Sequence, residues 1–146
     1  MSLEEYWKKR KFSTTPEPKG GTNETGGERF VIQKHQATHL HYDFRLEMNG
    51  VLKSWAVPKE PPTIPNVRRL AIEVEDHPVE YITFEGRIPE GEYGAGTVEI
   101  WDKGVYNLKK REDHVLEFDL EGSILKGGYK LVKFRQNQWL FFKSKN

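Results

Sequence analysis

An all-β fold, a compact antiparallel barrel or sandwich of about eight short strands, is what this sequence predicts. Three observations carry that prediction: runs of alternating apolar and polar residues recur along the chain, glycine or proline turns separate them, and helical periodicity is almost absent. With 146 residues the chain suits one domain with a substantial core. Hydrophobic residues make up 36%, including four Trp, six Tyr and eight Phe, whereas 31% charge and a mean hydropathy of −0.77 imply an ionic surface. The barrel domain is expected over residues 29–146, preceded over 1–28 by a short helix and a flexible segment.

At the amino end, Leu3, Tyr6 and Trp7 share a face, so residues 3–12 read as a short helix that needs docking to persist. Ser13 to Glu28, STTPEPKGGTNETGGE, has the composition of a loop or mobile linker. Phe30 to His35 is the first strand, with Phe30 and Ile32 on one side and Val31, Gln33 and His35 on the other. From His39 to Met48, Leu40, Tyr42, Phe44, Leu46 and Met48 oppose His39, His41, Asp43, Arg45 and Glu47. Asn49-Gly50 supplies the positive φ values of a two-residue hairpin, returning the chain as Val51 to Val57.

Four prolines then make an exposed loop from Pro58 to Val67. In Arg69 to His77, Leu70, Ile72 and Val74 point one way and Ala71, Glu73, Glu75 and His77 the other; Val79 to Glu85 reads as a further strand. RIPEGEYGAG, residues 87–96, is a glycine-rich loop without the lysine of a phosphate cradle. Thr97 to Trp101 and Val105 to Leu108 flank a hairpin expected at Asp102-Lys103-Gly104. Strands at Val115 to Leu120, Tyr129 to Phe134 and Trp139 to Lys143 close the chain.

The absence of cysteine excludes a disulfide framework, a thiolate zinc site and a cysteine nucleophile. No stretch suits a signal peptide or a membrane span, so a cytoplasmic protein is expected. A net charge of +1 confines nucleic-acid binding to local patches, such as Lys8 to Lys11, Lys109 to Arg111, and Lys126, Lys130, Lys133 and Arg135.

The polar face of the second strand carries the chemistry. His35, His41 and Asp43 offer two imidazoles and a carboxylate, a usual set for a divalent transition ion, against the alternative that they are structural or merely exposed. His39 lies on the same face. Arg45 suits a bidentate grip on phosphate, the alternative being a salt bridge with Glu47 or Glu75. His77 can donate a proton, hold a phosphoryl oxygen or cap the strand before Pro78. Ser54 lacks the surroundings of a nucleophile, so metal-activated water fits better, with Arg45 and Lys59 neutralising developing charge. The polar faces of 39–47 and 71–77 line one groove if those strands are neighbours. Other classes are a cupin-like iron oxygenase completed by His77 or His114, and a non-catalytic single-strand-binding barrel using Tyr81, Tyr93 or Trp101 as stacking surfaces.

FVIQKHQATHLHYDFRLEMNGVLKSWAVPK and LAIEVEDHPVEYITFEGRIPEGEYGAGTVEIWDKG closely resemble the 3′-phosphoesterase domain found at the amino end of bacterial DNA ligase D, and its stand-alone relatives. The resemblance implies a β-barrel with its site on a concave outer surface, manganese as cofactor with zinc or cobalt as alternatives, and removal of 3′-ribonucleotides and 3′-phosphates in non-homologous end joining. The substrates implied are the 3′ ends of DNA or DNA/RNA primer–templates, with a separately encoded ligase as partner and a monomer as the default state. By position, His35, His41 and Asp43 match the family's metal ligands, and Arg45, His77 and Tyr81 its phosphate contacts; the catalytic set is His41, Asp43, Arg45, His77 and Tyr81. Gln33, Ser54, Lys59 and Glu75 fall on further site positions, as do Arg10 and Glu17 in the amino segment. Where the family often has Arg-Asp-Phe, this chain has Arg10-Lys11-Phe12, a change that bears on the balance between diesterase and monoesterase activity.

Overall fold

The computed structural model describes residues 3–20 and 28–145. A short helix α1 (Glu4–Lys8) precedes strands β1 (Arg29–Gln36), β2 (Leu40–Met48), β3 (Val51–Val57), β4 (Arg68–Pro78), β5 (Gly86–Ile88), β6 (Gly96–Glu112), β7 (Val115–Gly122), β8 (Lys126–Arg135) and β9 (Gln138–Lys143), with a 3-10 helix at Val79–Thr83 between β4 and β5. The strands pair in the order β1-β2-β3-β4-β9-β8-β7-β6-β5, and an additional β1–β6 pairing closes the first eight into an antiparallel ring. The expected barrel is therefore present and the sandwich is not, because closure leaves β5 alone outside the ring.

Alternation along each strand divides inside from outside. Phe30, Ile32, Tyr42, Phe44, Leu46, Trp55 and Val57 point inward and meet Phe118, Leu131, Trp139 and Phe141 from the far wall. Phe44 occupies the centre, its ring 4.7 Å from Phe141 and 5.9 Å from Phe118, both stacked. A second apolar cluster, including Tyr6, Val31, Leu52, Tyr81, Ile82 and Phe84, lies on the outward side of β1 and β3, where α1 and the 3-10 helix cover the wall. The β2–β3 turn is the one expected: Asn49 at φ 55° and Gly50 at φ 82° bring Met48 opposite Val51.

The structure corrects several local expectations. The helix spans only five residues: Tyr6 is buried, but Trp7 turns outward and donates its indole N–H to the Lys19 carbonyl. Val79 to Thr83 is helical instead of extended, since Val79, Tyr81 and Ile82 are all buried and a strand cannot turn three such neighbours to one side. No hairpin forms at Asp102-Lys103-Gly104; β6 runs through as one strand of 17 residues. The Asp102 carboxylate instead accepts N–H bonds from Lys103, Ser123 and Leu125, and Gly104 lies so close to Glu121 that a Cβ would collide with its carbonyl. In the proline loop Pro61 and Pro62 are buried, because the Pro62 carbonyl accepts the core Tyr129 hydroxyl.

The two faces of β4 are also not those of a simple alternation. Ala71 faces the core while Leu70 is exposed, and the β3–β4 ladder slips between Leu52 and Ser54, so that Glu75 and His77 come to the outside of the barrel. In the stretch expected to be a mobile linker, Thr15 and Glu17 are buried; its residues 21–27 lie outside the described residues. Among the described residues no helix is long and apolar enough to cross a membrane.

Asp102→Ala strands the N–H groups of Ser123 and Leu125 at the β7–β8 turn. The expected cost is about 2–3 kcal/mol, read as a lower urea midpoint with an unchanged slope. A loss below about 0.5 kcal/mol would show that water replaces the carboxylate there.

Candidate functional site

The site forms on the outward faces of β1 to β4. Pairing sets His35 opposite His41, Gln33 opposite Asp43, and Arg45 opposite Ser54. β2 and β4 are not neighbours, as β3 lies between them, yet both reach one cleft because β3 presents only the small Ala56 there. That cleft, of about 320 Å³, is lined by the polar groups of Arg10, Glu17, His35, His41, Asp43, Arg45, Glu75, His77, Tyr81 and Tyr93.

His35 Nδ1 lies 3.6 Å and His41 Nε2 3.3 Å from the same oxygen of Asp43, and one donor atom from each residue falls within 4.8 Å of the others. The remaining ring nitrogens are committed: His35 Nε2 donates to the Gly94 carbonyl at 2.7 Å and His41 Nδ1 to the His39 carbonyl at 3.0 Å. Those bonds leave Nδ1 of His35 and Nε2 of His41 facing the carboxylate, as lone pairs for a cation when the rings are neutral and as N–H donors to Asp43 when they are protonated. Ligands held about 2.0–2.2 Å from a common ion lie roughly 3–4 Å apart, and the separations of His35 and His41 from the Asp43 oxygen, 3.6 and 3.3 Å, suit a divalent cation. Burial alone would raise Asp43, but the charge of Arg45 and the hydrogen bonds of His35 and His41 outweigh it and hold the carboxyl well below its usual range. Burial opposes a charge on His41, yet Asp43 overrides that too and raises its pKa: positive charge is favoured at this point.

Arg45 is built into the wall. Its Nε donates to Gln33 Oε1 at 2.6 Å, Nη1 to the Ser54 hydroxyl at 2.8 Å, and Nη2 lies 3.5 Å from Asp43, with the guanidinium 4.8 Å from the Tyr81 ring centroid. These contacts use three of five N–H groups and leave two for a ligand in the cleft. Neither salt bridge considered from the sequence forms: Glu47 binds Arg29 and Glu75 binds Lys9 and Arg10.

The amino segment closes the other side. The Arg10 guanidinium lies 4.0 Å from the Tyr6 ring centroid, donates through Nε to Glu17 at 2.9 Å, and reaches Glu75 at 3.3 Å and His77 Nε2 at 3.4 Å. Glu17, buried, also accepts from the Thr15 hydroxyl at 2.9 Å and the Tyr81 hydroxyl at 2.7 Å. Burial and the Glu17 charge push the Tyr81 phenol far above its ordinary value, so it remains a donor. His77 donates Nδ1–H to the Glu75 carbonyl at 3.0 Å. Burial, then Arg45 and Arg10, drive its pKa well below 6.5, leaving a neutral imidazole. Burial works against the Glu75 carboxylate, but the hydrogen bond from Lys9 leads the effects that lower it overall.

Of the residues singled out in sequence, His35, His41, Asp43, Arg45, Glu75, His77, Tyr81, Arg10 and Glu17 meet in this cleft. Gln33 and Ser54 stand behind it, both fully buried and bonded to Arg45. Lys59 is exposed in the loop after β3, and neither it, Lys11 nor His114 lines the cleft. Tyr81 is covered and Trp101 packs on Tyr42, so neither offers a free stacking face. The sequence did not point to Thr15, Tyr6 or the Gly94 carbonyl as parts of the site, although the glycine-rich loop around Gly94 carried a signal, and it marked Lys9 only as a member of a basic patch.

Residues 33–133 match the family of the DNA Ligase D 3′-phosphoesterase domain. The chain is 47% identical to the multifunctional non-homologous end joining protein LigD of Pseudomonas aeruginosa, the alignment covering 99% of this chain and 19% of that protein. It is 49% identical to the LigD of Mycobacterium bovis over 99% of this chain and 20% of the relative, and 42% identical to that of Mycolicibacterium smegmatis over 99% and 21%. The chain thus spans about a fifth of the length of the curated relatives it matches. With the family matched over residues 33–133 and the relatives aligned over 99% of its length, the chain belongs to the DNA ligase D 3′-phosphoesterase domain family.

Proposed function

We propose that this domain is a manganese-dependent phosphoesterase that trims the 3′ ends of DNA strands during non-homologous end joining, removing terminal ribonucleotides as a diesterase and 3′-phosphates as a monoesterase. The observation that carries the reading is the convergence of His35 Nδ1, His41 Nε2 and Asp43 beside a guanidinium with two N–H groups to spare. His35, His41 and Asp43 would hold the ion. Bound there, a divalent cation supplies a Lewis acid that draws charge from a phosphoryl oxygen and acidifies water.

The chain's own groups do the rest. Arg45, held by Gln33, Ser54 and Asp43, clamps the phosphoryl oxygens without having to reorganise as charge develops. Arg10 is the second fixed cation, oriented by Glu17. Arg10, Arg45 and Lys9 balance Glu17, Asp43 and Glu75 in and beside the cleft, so a divalent ion leaves an excess of two positive charges, a match for a phosphate dianion. His77 enters as a neutral contact whose Nε2 lone pair faces Arg10; a proton-donor role would first require protonation, which both guanidiniums oppose. Tyr81 keeps Glu17 in place and lies along Arg45.

The activity is tested on a 5′-labelled primer–template ending in two ribonucleotides and on the same duplex with a 3′-phosphate, each with and without manganese. Manganese-dependent product from both is expected, and none from either would defeat the proposal. His41→Ala, at a partly exposed position, should lower turnover at least ~100-fold while the near-ultraviolet spectrum of the barrel stays native. Arg45→Ala should cut kcat by roughly 100- to 1,000-fold with little change in DNA affinity, as expected for a contact realised in the transition state; equal losses in both would remove that role.

His77 also makes stability pH-dependent in a defined direction. Its folded pKa is depressed, so below 6.5 the unfolded chain takes up a proton that the folded protein refuses, and stability falls as pH falls. His77→Gln removes this component. Between about pH 7 and 5 the variant should lose less stability than the wild type, the difference reaching at most ~1.4 kcal/mol per pH unit. Parallel curves for the two proteins would mean that His77 titrates normally.

A further inference from the structure

Tyr93 sits in the β5–β6 loop, lines the same cleft as the imidazole–carboxylate cluster, and is 48% exposed. Tyr81, the other tyrosine lining the cleft, is buried with its hydroxyl committed to Glu17, and Tyr6, against Arg10, is fully buried. Trp7 and Phe134, also exposed, do not line the cleft. Lys9 Nζ lies 4.8 Å and the Arg10 guanidinium 5.3 Å from the Tyr93 ring centroid, contacts that leave nearly half of the residue open.

The loop that carries this ring is fixed to the site. Gly94, the next residue, holds His35 through its carbonyl at 2.7 Å, and its φ of 76° is a conformation that a side chain would strain. Glu92 accepts the Thr14 hydroxyl at 2.9 Å, and turn bonds from Glu92 N to Pro89 O and from Ala95 N to Glu92 O brace the segment. A rigid aromatic surface therefore stands one residue from the support of a candidate metal ligand, beside two cations. An open π-face next to a phosphate site is the arrangement by which proteins hold an unpaired nucleobase, since every base can stack and the backbone supplies the charge.

We propose that Tyr93 is a stacking subsite for the terminal nucleobase of the strand being processed, setting its 3′ phosphate against Arg45 and the imidazole–carboxylate cluster. The inference deepens the 3′-phosphoesterase reading and rests on it. Because stacking does not read base edges, the subsite accepts all bases but discriminates against an end that has none.

The test compares two labelled primer–templates ending in a hydrolysis-resistant 3′-phosphonate, one with a terminal thymine left unpaired by a mismatch and the other abasic at that nucleotide. Their affinities are measured by fluorescence anisotropy in manganese. The wild type should bind the thymine end about 5- to 150-fold more tightly. Tyr93→Ala should abolish that preference and leave the abasic affinity unchanged, while Tyr93→Phe keeps it. Equal wild-type affinities, or an equal loss on both ends in Tyr93→Ala, would overturn the proposal. Turnover of an ordinary 3′-phosphate end is followed in parallel: a base preference without hydrolysis supports the subsite and defeats the phosphoesterase reading, and hydrolysis without a base preference defeats the subsite alone.

Discussion

Asp43 keeps its charge while almost fully covered, and the surrounding site follows from that requirement. A buried carboxylate survives only beside positive charge or strong donors. Arg45 supplies the permanent charge, but Arg45 is itself buried and needs its own acceptors, which are Gln33 and Ser54 on the flanking strands. On the other side of Asp43 stand two imidazoles whose outer nitrogens are tied to the Gly94 and His39 carbonyls. Each group thus restricts the next, and what remains is a single point where three lone-pair donors face one another.

The barrel makes such a tightly determined surface stable. A closed ring of strands fixes the spacing of β1, β2 and β3, so His35, His41 and Asp43 are positioned by backbone pairing and not by flexible loops. The slip in the β3–β4 ladder then turns Glu75 and His77 out toward the same surface. Over this wall the amino segment lays Tyr6, Arg10 and Glu17, anchored by the Tyr81 hydroxyl and the Thr15 side chain. One side of the cleft is sheet and rigid; the other is a strap held by ion pairs and a cation–π contact.

Alternation in β2 was enough to place His41, Asp43 and Arg45 on one outer face, and Asn49-Gly50 was enough to fix the register of the returning strand. Closure of the barrel was less accessible, because it depends on β1 meeting β6 across more than 60 residues of chain, a pairing no local pattern encodes. The 3-10 helix is hidden in the sequence because Val79, Tyr81 and Thr83 alternate with their neighbours as a strand would, while Tyr81 packs against Tyr6 and Phe84. Gly104 has the look of a turn residue in the sequence, whereas in the fold it lets β7 approach. Within the site, the residue types gave the chemistry, but not that Gln33 and Ser54 would sit behind Arg45, or that Thr15 would orient Glu17.

A metal site in this cleft depends on the convergence of two imidazoles and one carboxylate. Pulsed electron paramagnetic resonance of the manganese-loaded protein reads those ligands directly, through the coupling of the metal's electron spin to directly bound nitrogen. Couplings to two imidazole nitrogens are expected in the wild type, one of them disappearing in His35→Ala and both in the double His35→Ala, His41→Ala variant. Bound manganese without nitrogen coupling, or couplings that survive the double substitution, would place the ion elsewhere and contradict the site described for this barrel.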